Sequence, residues 1–269
     1  MLSNMTIGQY FPTGSVIHKL DARIKLIMTI LVIVLVFVAN SSLTLGICGL
    51  FTLTMMLISK INIKMYLKML KSVWVIIVLT SVLNVLYVTG KKPIFSWWII
   101  NVYPEGIARA VLIAVRICML ILVSALLTYT TSPTELTDAI ERLLSPLRYI
   151  GLGEAVHILA MMTSIALRFI PILIEETDKI MSAQKARGAD MESGGLAKRI
   201  KSLLPVLIPL LISATRRAYD LAEAMECRCY RGGSGRTKMN RAHLATRDYL
   251  ALGVGAALTA IIVVGRVLL

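Results

Sequence analysis

The chain has 269 residues, 57% of them hydrophobic and 16% charged, with a mean hydropathy of +0.77. Soluble domains average about 45–50% apolar and about 25% charged, so this composition points away from a soluble domain and excludes a disordered chain. Four scattered cysteines (Cys48, Cys118, Cys227, Cys229) do not make a secreted disulfide scaffold, and a +14 balance beside long apolar runs is what positive-inside topology produces.

The segment Met1–Arg23 lacks the charged, apolar and cleavable parts of a signal peptide, so the first apolar run reads as a retained span. Leu26 to Ser59 carries no formal charge. A single helix over that stretch would be about 51 Å long, well beyond the roughly 30 Å hydrocarbon core. Asn40-Ser41-Ser42 divides it into two spans near 24–39 and 43–59. Further spans are expected at 72–90, at 108–128 with Arg116 inside it, and at 249–265. In the last, the Gly253/Ala257 and Ala256/Ala260 spacings offer small faces for close helix packing.

Loop charges orient these spans. The second loop carries Lys60, Lys64, Lys68 and Lys71 without an acid, whereas the third is aromatic, with Phe95, Trp97, Trp98 and Tyr103 beside Lys91, Lys92, Arg109 and Glu105. This bias places the N-terminus and the region 130–248 in the cytoplasm. The expected class is all-α: a polytopic membrane protein of about five transmembrane helices with long amphipathic cytoplasmic helices. Its expected parts are an N-terminal membrane part over 1–129, a coupling-helix region over 130–248 and a last span in 249–269.

The region 130–248 holds two apolar patches, Ala155–Leu167 and Leu203–Thr215, interrupted by Arg168, Pro171, Pro205 and Pro209. Each is about 13 residues, a length more typical of buried or interfacial helices than of spans. The alternative is a membrane hairpin giving seven spans. A stripe of Leu136, Ile140, Leu143, Leu144 and Leu147 follows Thr130-Thr131-Ser132-Pro133, where a hydroxyl residue can cap the helix start. Helices are expected at roughly 153–187 and 196–229, joined by the turn Gly188–Gly195. The second carries Ala218, Leu221, Ala222 and Met225 opposite a polar face of Arg217, Asp220 and Glu223.

Chemistry-bearing residues are sparse. His18, His157 and His243 have no metal-ligand spacing, Cys227-Arg228-Cys229 is not the paired C-x-x-C of a zinc site, and Gly232–Lys238 lacks P-loop spacing. No catalytic residue, metal site or bound cofactor is therefore expected. Arg116 is a candidate intramembrane site, the alternative being a structural partner such as a backbone carbonyl. The basic stretch Arg231–Arg247 reads as a solvated linker, with attraction to anionic membrane lipid as the alternative.

Ala186-Arg187-Gly188 and Cys227-Arg228-Cys229 each set an arginine between small neighbours at the end of a long helix. Small flanks let another surface approach, and the guanidinium offers five donors to carboxylates or carbonyls. The alternative is simple capping by a cation at a helix C-terminus. Repetition on successive helices favours docking, and two such helices can hold their arginines tens of ångströms apart, enough to engage two globular partners.

These residues, in this order, resemble the transmembrane T subunit (EcfT/CbiQ-like) of energy-coupling factor (ECF) transporters, ATP-driven importers of vitamins and metal ions. Gly8-Gln9-Tyr10, Ser15 and His18–Leu26 are similar to the family's opening segment, where proline is commoner at the position of Ala22. Thr130–Pro133 with Leu136 looks like the start of its first cytoplasmic helix. Ala186-Arg187-Gly188 and Ala224–Tyr230 resemble its two arginine motifs, the second departing from the commoner Ala-Arg-Gly.

The resemblance implies a non-catalytic coupling subunit in the cell membrane. It would sit on two ABC-type ATPase subunits that bind the ATP, and would pair with a substrate-binding membrane S component. Arg187 and Arg228 would each enter a groove on one ATPase. No nucleic-acid partner is implied. The competing functional class is an autonomous permease or secondary transporter. That class usually needs a polar midplane site and often internal repeats, yet Arg116 is the one charge clearly inside an expected span and no convincing repeat is seen. A membrane enzyme lacks any supporting constellation.

Overall fold

A computed structural model describes residues 10–39, 41–88, 95–97, 100–189, 195–232 and 244–268. Its helices are α1 (Ala22–Val38), α2 (Ser42–Ser59), α3 (Ile63–Tyr87), α4 (Pro104–Thr130), α5 (Pro133–Leu143), α6 (Gly153–Ala186), α7 (Leu196–Cys227) and α8 (Thr246–Leu268), with a 3-10 turn at Ser145–Ile150. Between α3 and α4, β1 (Phe95–Trp97) pairs antiparallel with β2 (Ile100–Val102), Phe95 opposite Val102 and Trp97 opposite Ile100. Aromatic and β-branched residues suit such a ribbon. Several expected features lie outside the described residues: Gly8-Gln9, Asn40, Lys91, Lys92, Trp98, most of the turn after Gly188, the run from Gly233 to Lys238, and Arg241 and His243.

Five described helices are long and apolar enough to cross a membrane: α2, α3, α4, α6 and α8. This set differs from the expected spans in two places. The 24–39 run lies in α1, which has 17 residues and is thus only about 25 Å long. In α6, all 34 residues run as one helix through Pro171, because its apolar stretch resumes at Phe169 beyond a single exposed Arg168.

The chain divides into two compact units, one of residues 9–136 and 240–269, the other of 1–8 and 137–239. In the first, Val32, Leu35 and Val36 of α1, Leu45 and Cys48 of α2, Met119 and Val123 of α4, and Leu258 and Ile262 of α8 form one buried cluster. A second joins Ile61, Tyr66, Ala125 and Tyr129, with Tyr66 and Tyr129 edge-to-face at 5.5 Å between ring centroids. Outside these clusters α3 displays Trp74, Val75, Ile76, Val78, Leu79 and Val82, an apolar surface suited to lipid.

The buried side of α8 is Gly255, Leu258 and Ile262, while Gly253, Ala256, Ala257 and Ala260 are not buried. The small faces expected at 253/257 and 256/260 are therefore not the ones that pack against this unit. The side that turns inward is the one bearing the larger Leu258 and Ile262, which fill the space beside α1 and α2. Close approaches come instead at Gly255, where a Cβ would lie 2.6 Å from Met28 Sδ of α1, and at Gly106, where it would lie 3.3 Å from the backbone oxygen of Val85, so that α4 lies tight against the end of α3.

Gly106→Leu is accordingly expected to cost about 1–3 kcal/mol by forcing α3 and α4 apart. Gly253→Leu, where nothing lies within 4 Å, is expected to leave the thermal unfolding midpoint in detergent unchanged.

Candidate functional site: the paired arginine-tipped helices

Helices α6 and α7 pack against each other within the second unit. Three contacts establish their sense. Tyr230 Oη donates to Met161 Sδ at 3.0 Å, Arg217 Nη2 donates to Glu176 Oε2 at 3.0 Å, and Gln184 Nε2 approaches the Pro205 carbonyl at 3.5 Å. As numbers rise along α6 they fall along α7, so the pair is antiparallel. The last contact follows from the prolines. Pro209 has no N–H, which leaves the Pro205 carbonyl without its helical donor, and the Gln184 amide fills that place.

The pairing revises one sequence expectation. Arg217 stays partly exposed but pairs with Glu176 of α6, while Ala218 and Ala222 of the expected apolar stripe are exposed. Opposite, Leu203, Leu204, Leu207, Ile208, Leu211 and Ile212 of α7 stay open as one apolar face. Adjacent positions repeated every fourth residue lie along one side of a helix, and an uncovered patch of that kind marks a protein or membrane contact.

Both helices stop in the same way. At the end of α6, Arg187 is the cap residue; Gly188 N donates to Lys185 O at 3.0 Å and Ala189 N to Gln184 O at 3.0 Å. At the end of α7, Arg228 is the cap residue; Cys229 N donates to Glu226 O at 2.8 Å and Tyr230 N to Met225 O at 3.0 Å. Each is a Schellman turn, with the residue after the arginine left-handed: Gly188 at φ 85° and Cys229 at φ 56°. The departure from Ala-Arg-Gly at Cys229 therefore leaves the backbone form intact. Ala186, Arg187, Gly188, Cys227, Arg228 and Cys229 are all exposed.

Since Arg187 lies eleven residues beyond Glu176, and Arg228 eleven beyond Arg217, the two arginines stand at opposite ends of the antiparallel pair. At 1.5 Å per residue their separation along the pair is roughly 33 Å.

The remaining singled-out residues have local partners. Arg116 Nη2 donates to the Ala39 carbonyl at 2.6 Å, capping the C-terminal end of α1, the backbone partner named as the alternative for this arginine. His157 Nδ1 lies 3.0 Å from Glu141 Oε1, tying α6 to α5. Ser132 Oγ accepts from Glu135 N and Glu135 Oε2 accepts from Ser132 N, both at 3.3 Å, a reciprocal capping box at the start of α5.

Sequence reasoning gave no role to the charges of the opening segment, and the structure supplies one. Lys25 Nζ donates to the Thr130 carbonyl at 2.8 Å and to the His18 carbonyl at 3.1 Å, closing the C-terminal end of α4. Asp248 accepts from Asp21 N at 3.0 Å and from Ala245 N at 2.8 Å, joining the starts of α1 and α8. Nearby, burial pushes the His18 imidazole below its ordinary pKa of 6.5, and its Nδ1 lies 2.7 Å from Ser15 Oγ. The signal was the opening segment itself, which is dense in charge just before an apolar run.

With this geometry in view, the likeness to known proteins is specific. The family described as "Cobalt transport protein" (CbiQ) matches residues 13–239. The energy-coupling factor transporter transmembrane protein EcfT of Clostridium kluyveri is 47% identical over 99% of this chain and 98% of its own length. The protein of the same name from Brevibacillus brevis is 48% identical over 98% and 97%, and that from Bacillus subtilis 44% over 90% and 90%.

The chain belongs to the CbiQ/EcfT family. It is a membrane-embedded transport component, and the family match ends at 239, so it takes in both arginine turns and the helices that carry them.

Because left-handed backbone disfavours a side chain by roughly 1–2 kcal/mol, Gly188→Ala is expected to loosen the end of α6. Cys229→Gly is expected to tighten the end of α7 by up to about 1 kcal/mol. Hydrogen exchange at the amides of 188–189 and 229–230 reads both effects, faster in the first variant and slower in the second.

Proposed function

We propose that this protein is the non-catalytic coupling subunit of an ECF-type, ATP-driven importer of a vitamin or other micronutrient. Arg187 and Arg228 dock into two separate ABC-type ATPase subunits, which bind and hydrolyse the ATP. The open apolar face of α7 receives a substrate-binding membrane S component. The N-terminus and the α5–α7 region lie on the cytoplasmic side, in line with the basic loops that flank the first spans, and α6, although long and apolar enough to cross, lies along the membrane surface so that both arginine tips face the ATPases.

The observation that carries this reading is the repeated turn. Two exposed arginines with the same backbone geometry stand at opposite ends of one antiparallel pair. A lone capping cation would need neither the repetition nor the spacing. A guanidinium at an exposed tip, between small side chains, is suited to enter a groove and meet carboxylates or carbonyls there. With the two tips held by different partners, a change in the distance between the ATPases becomes a displacement of α6 against α7. The S component seated on the apolar face would feel that displacement and release its substrate inward.

Full-length protein co-expressed with its ATPases and an S component tests the docking step. Arg187→Glu with Arg228→Glu is expected to leave membrane insertion unchanged and to lower ATPase co-purification at least tenfold. Co-purification within twofold of the parent would contradict the assignment. Each single variant is expected to have an intermediate effect, because one docked tip remains.

A further inference from the structure

The two arginine tips are equidistant from one polar contact. The Glu176–Arg217 ion pair, at 3.0 Å, joins α6 to α7 halfway between Arg187 and Arg228, eleven residues from each. Two further contacts across the interface fix register less tightly, a thioether acceptor at Met161 and a 3.5 Å approach at the Pro205 carbonyl. Apolar helix faces can slide by a turn with modest loss, because dispersion and burial are non-directional, whereas a carboxylate–guanidinium contact has a fixed geometry. A slide of one turn would move each tip by about 5.4 Å relative to the other.

The Arg217 Nε is withdrawn from solvent, and the two side chains are 38% and 27% exposed. Pairs this open to water add little to stability. Stability is therefore a poor account of this pair.

We infer that Glu176 and Arg217 are positioning residues: their ion pair is the pivot that sets the register of α6 against α7, and through it the spacing at which Arg187 and Arg228 meet the two ATPases. The inference rests on the docking role proposed for those arginines. It goes beyond that role in assigning function to a contact that touches neither ATPase. Movement driven by the ATPases then turns about this pair, and the two arms of equal length transmit it equally.

The test uses the full-length chain co-expressed with its ATPases, comparing Glu176→Gln, Arg217→Gln and the exchange Glu176→Arg with Arg217→Glu. Readouts are ATPase co-purification, the thermal unfolding midpoint of the isolated chain, and the distance between spin labels on genetically encoded side chains at Ser182 and Glu223. Both neutral variants are expected to lower co-purification at least fivefold and to broaden the distance distribution, with the midpoint shifted by no more than about 2 °C. The exchange is expected to restore both within twofold. Loss of co-purification that tracks a fall in the midpoint would show a merely structural pair and overturn the inference. So would neutral variants that bind ATPases normally, or an exchange that restores nothing. The Arg187→Glu/Arg228→Glu chain run alongside separates the two claims: if it retains its ATPases the docking role fails, whereas if it loses them and the neutral variants do not, only the pivot fails.

Discussion

Everything proposed for this protein depends on the antiparallel register of α6 and α7. Neither arginine turn means much alone, since a cation at a helix C-terminus is common and is stabilised by the helix dipole wherever it occurs. Antiparallel pairing turns two ordinary helix ends into a two-pronged object, because it sends the C-termini in opposite directions. Parallel packing would have brought Arg187 and Arg228 to the same end. The spacing of roughly 33 Å then follows from helix geometry.

The first unit has a different physical character. Its polar contacts cluster at helix ends. Lys25 closes α4, Arg116 closes α1, and Asp248 joins the starts of α1 and α8. Between those ends the contacts are apolar, and the outward surface of α3 is almost wholly so. In a bilayer no water satisfies a stray carbonyl, so long basic side chains reaching the last carbonyls of a helix are worth more than they would be in solution. That explains charges in and beside spans that hydropathy alone would leave empty.

Much of this was legible in the sequence because it is written in local pattern. The long helices expected at 153–187 and 196–229 are Gly153–Ala186 and Leu196–Cys227, because the apolar and polar pattern of each runs unbroken between turn segments, the first of them ended by Gly188. The hydroxyl cap expected before α5 is Ser132, while the reciprocal bond from Glu135 was added by the structure. What was not legible depends on partners distant in sequence. Arg217 reads as part of a polar face until Glu176, on another helix, is seen beside it. Arg116 is satisfied by a backbone carbonyl, which no side-chain pattern announces. The inward side of α8 could not be told from its outward side by small-residue spacing, because Leu258 and Ile262 fit the bundle better than the Gly253/Ala257 face does. Cys229 hides a Schellman turn that a glycine would have advertised.

The native thiols give the most direct view of the central claim. Cys227 and Cys229 flank Arg228 and are exposed, so a maleimide should label both readily in the isolated chain. In the complex with its ATPases, docking of the α7 tip predicts labelling at least tenfold slower at both thiols, and restored in Arg228→Glu. Equal labelling with and without the ATPases would contradict it, since a tip seated in a groove cannot leave its own neighbours open to solvent.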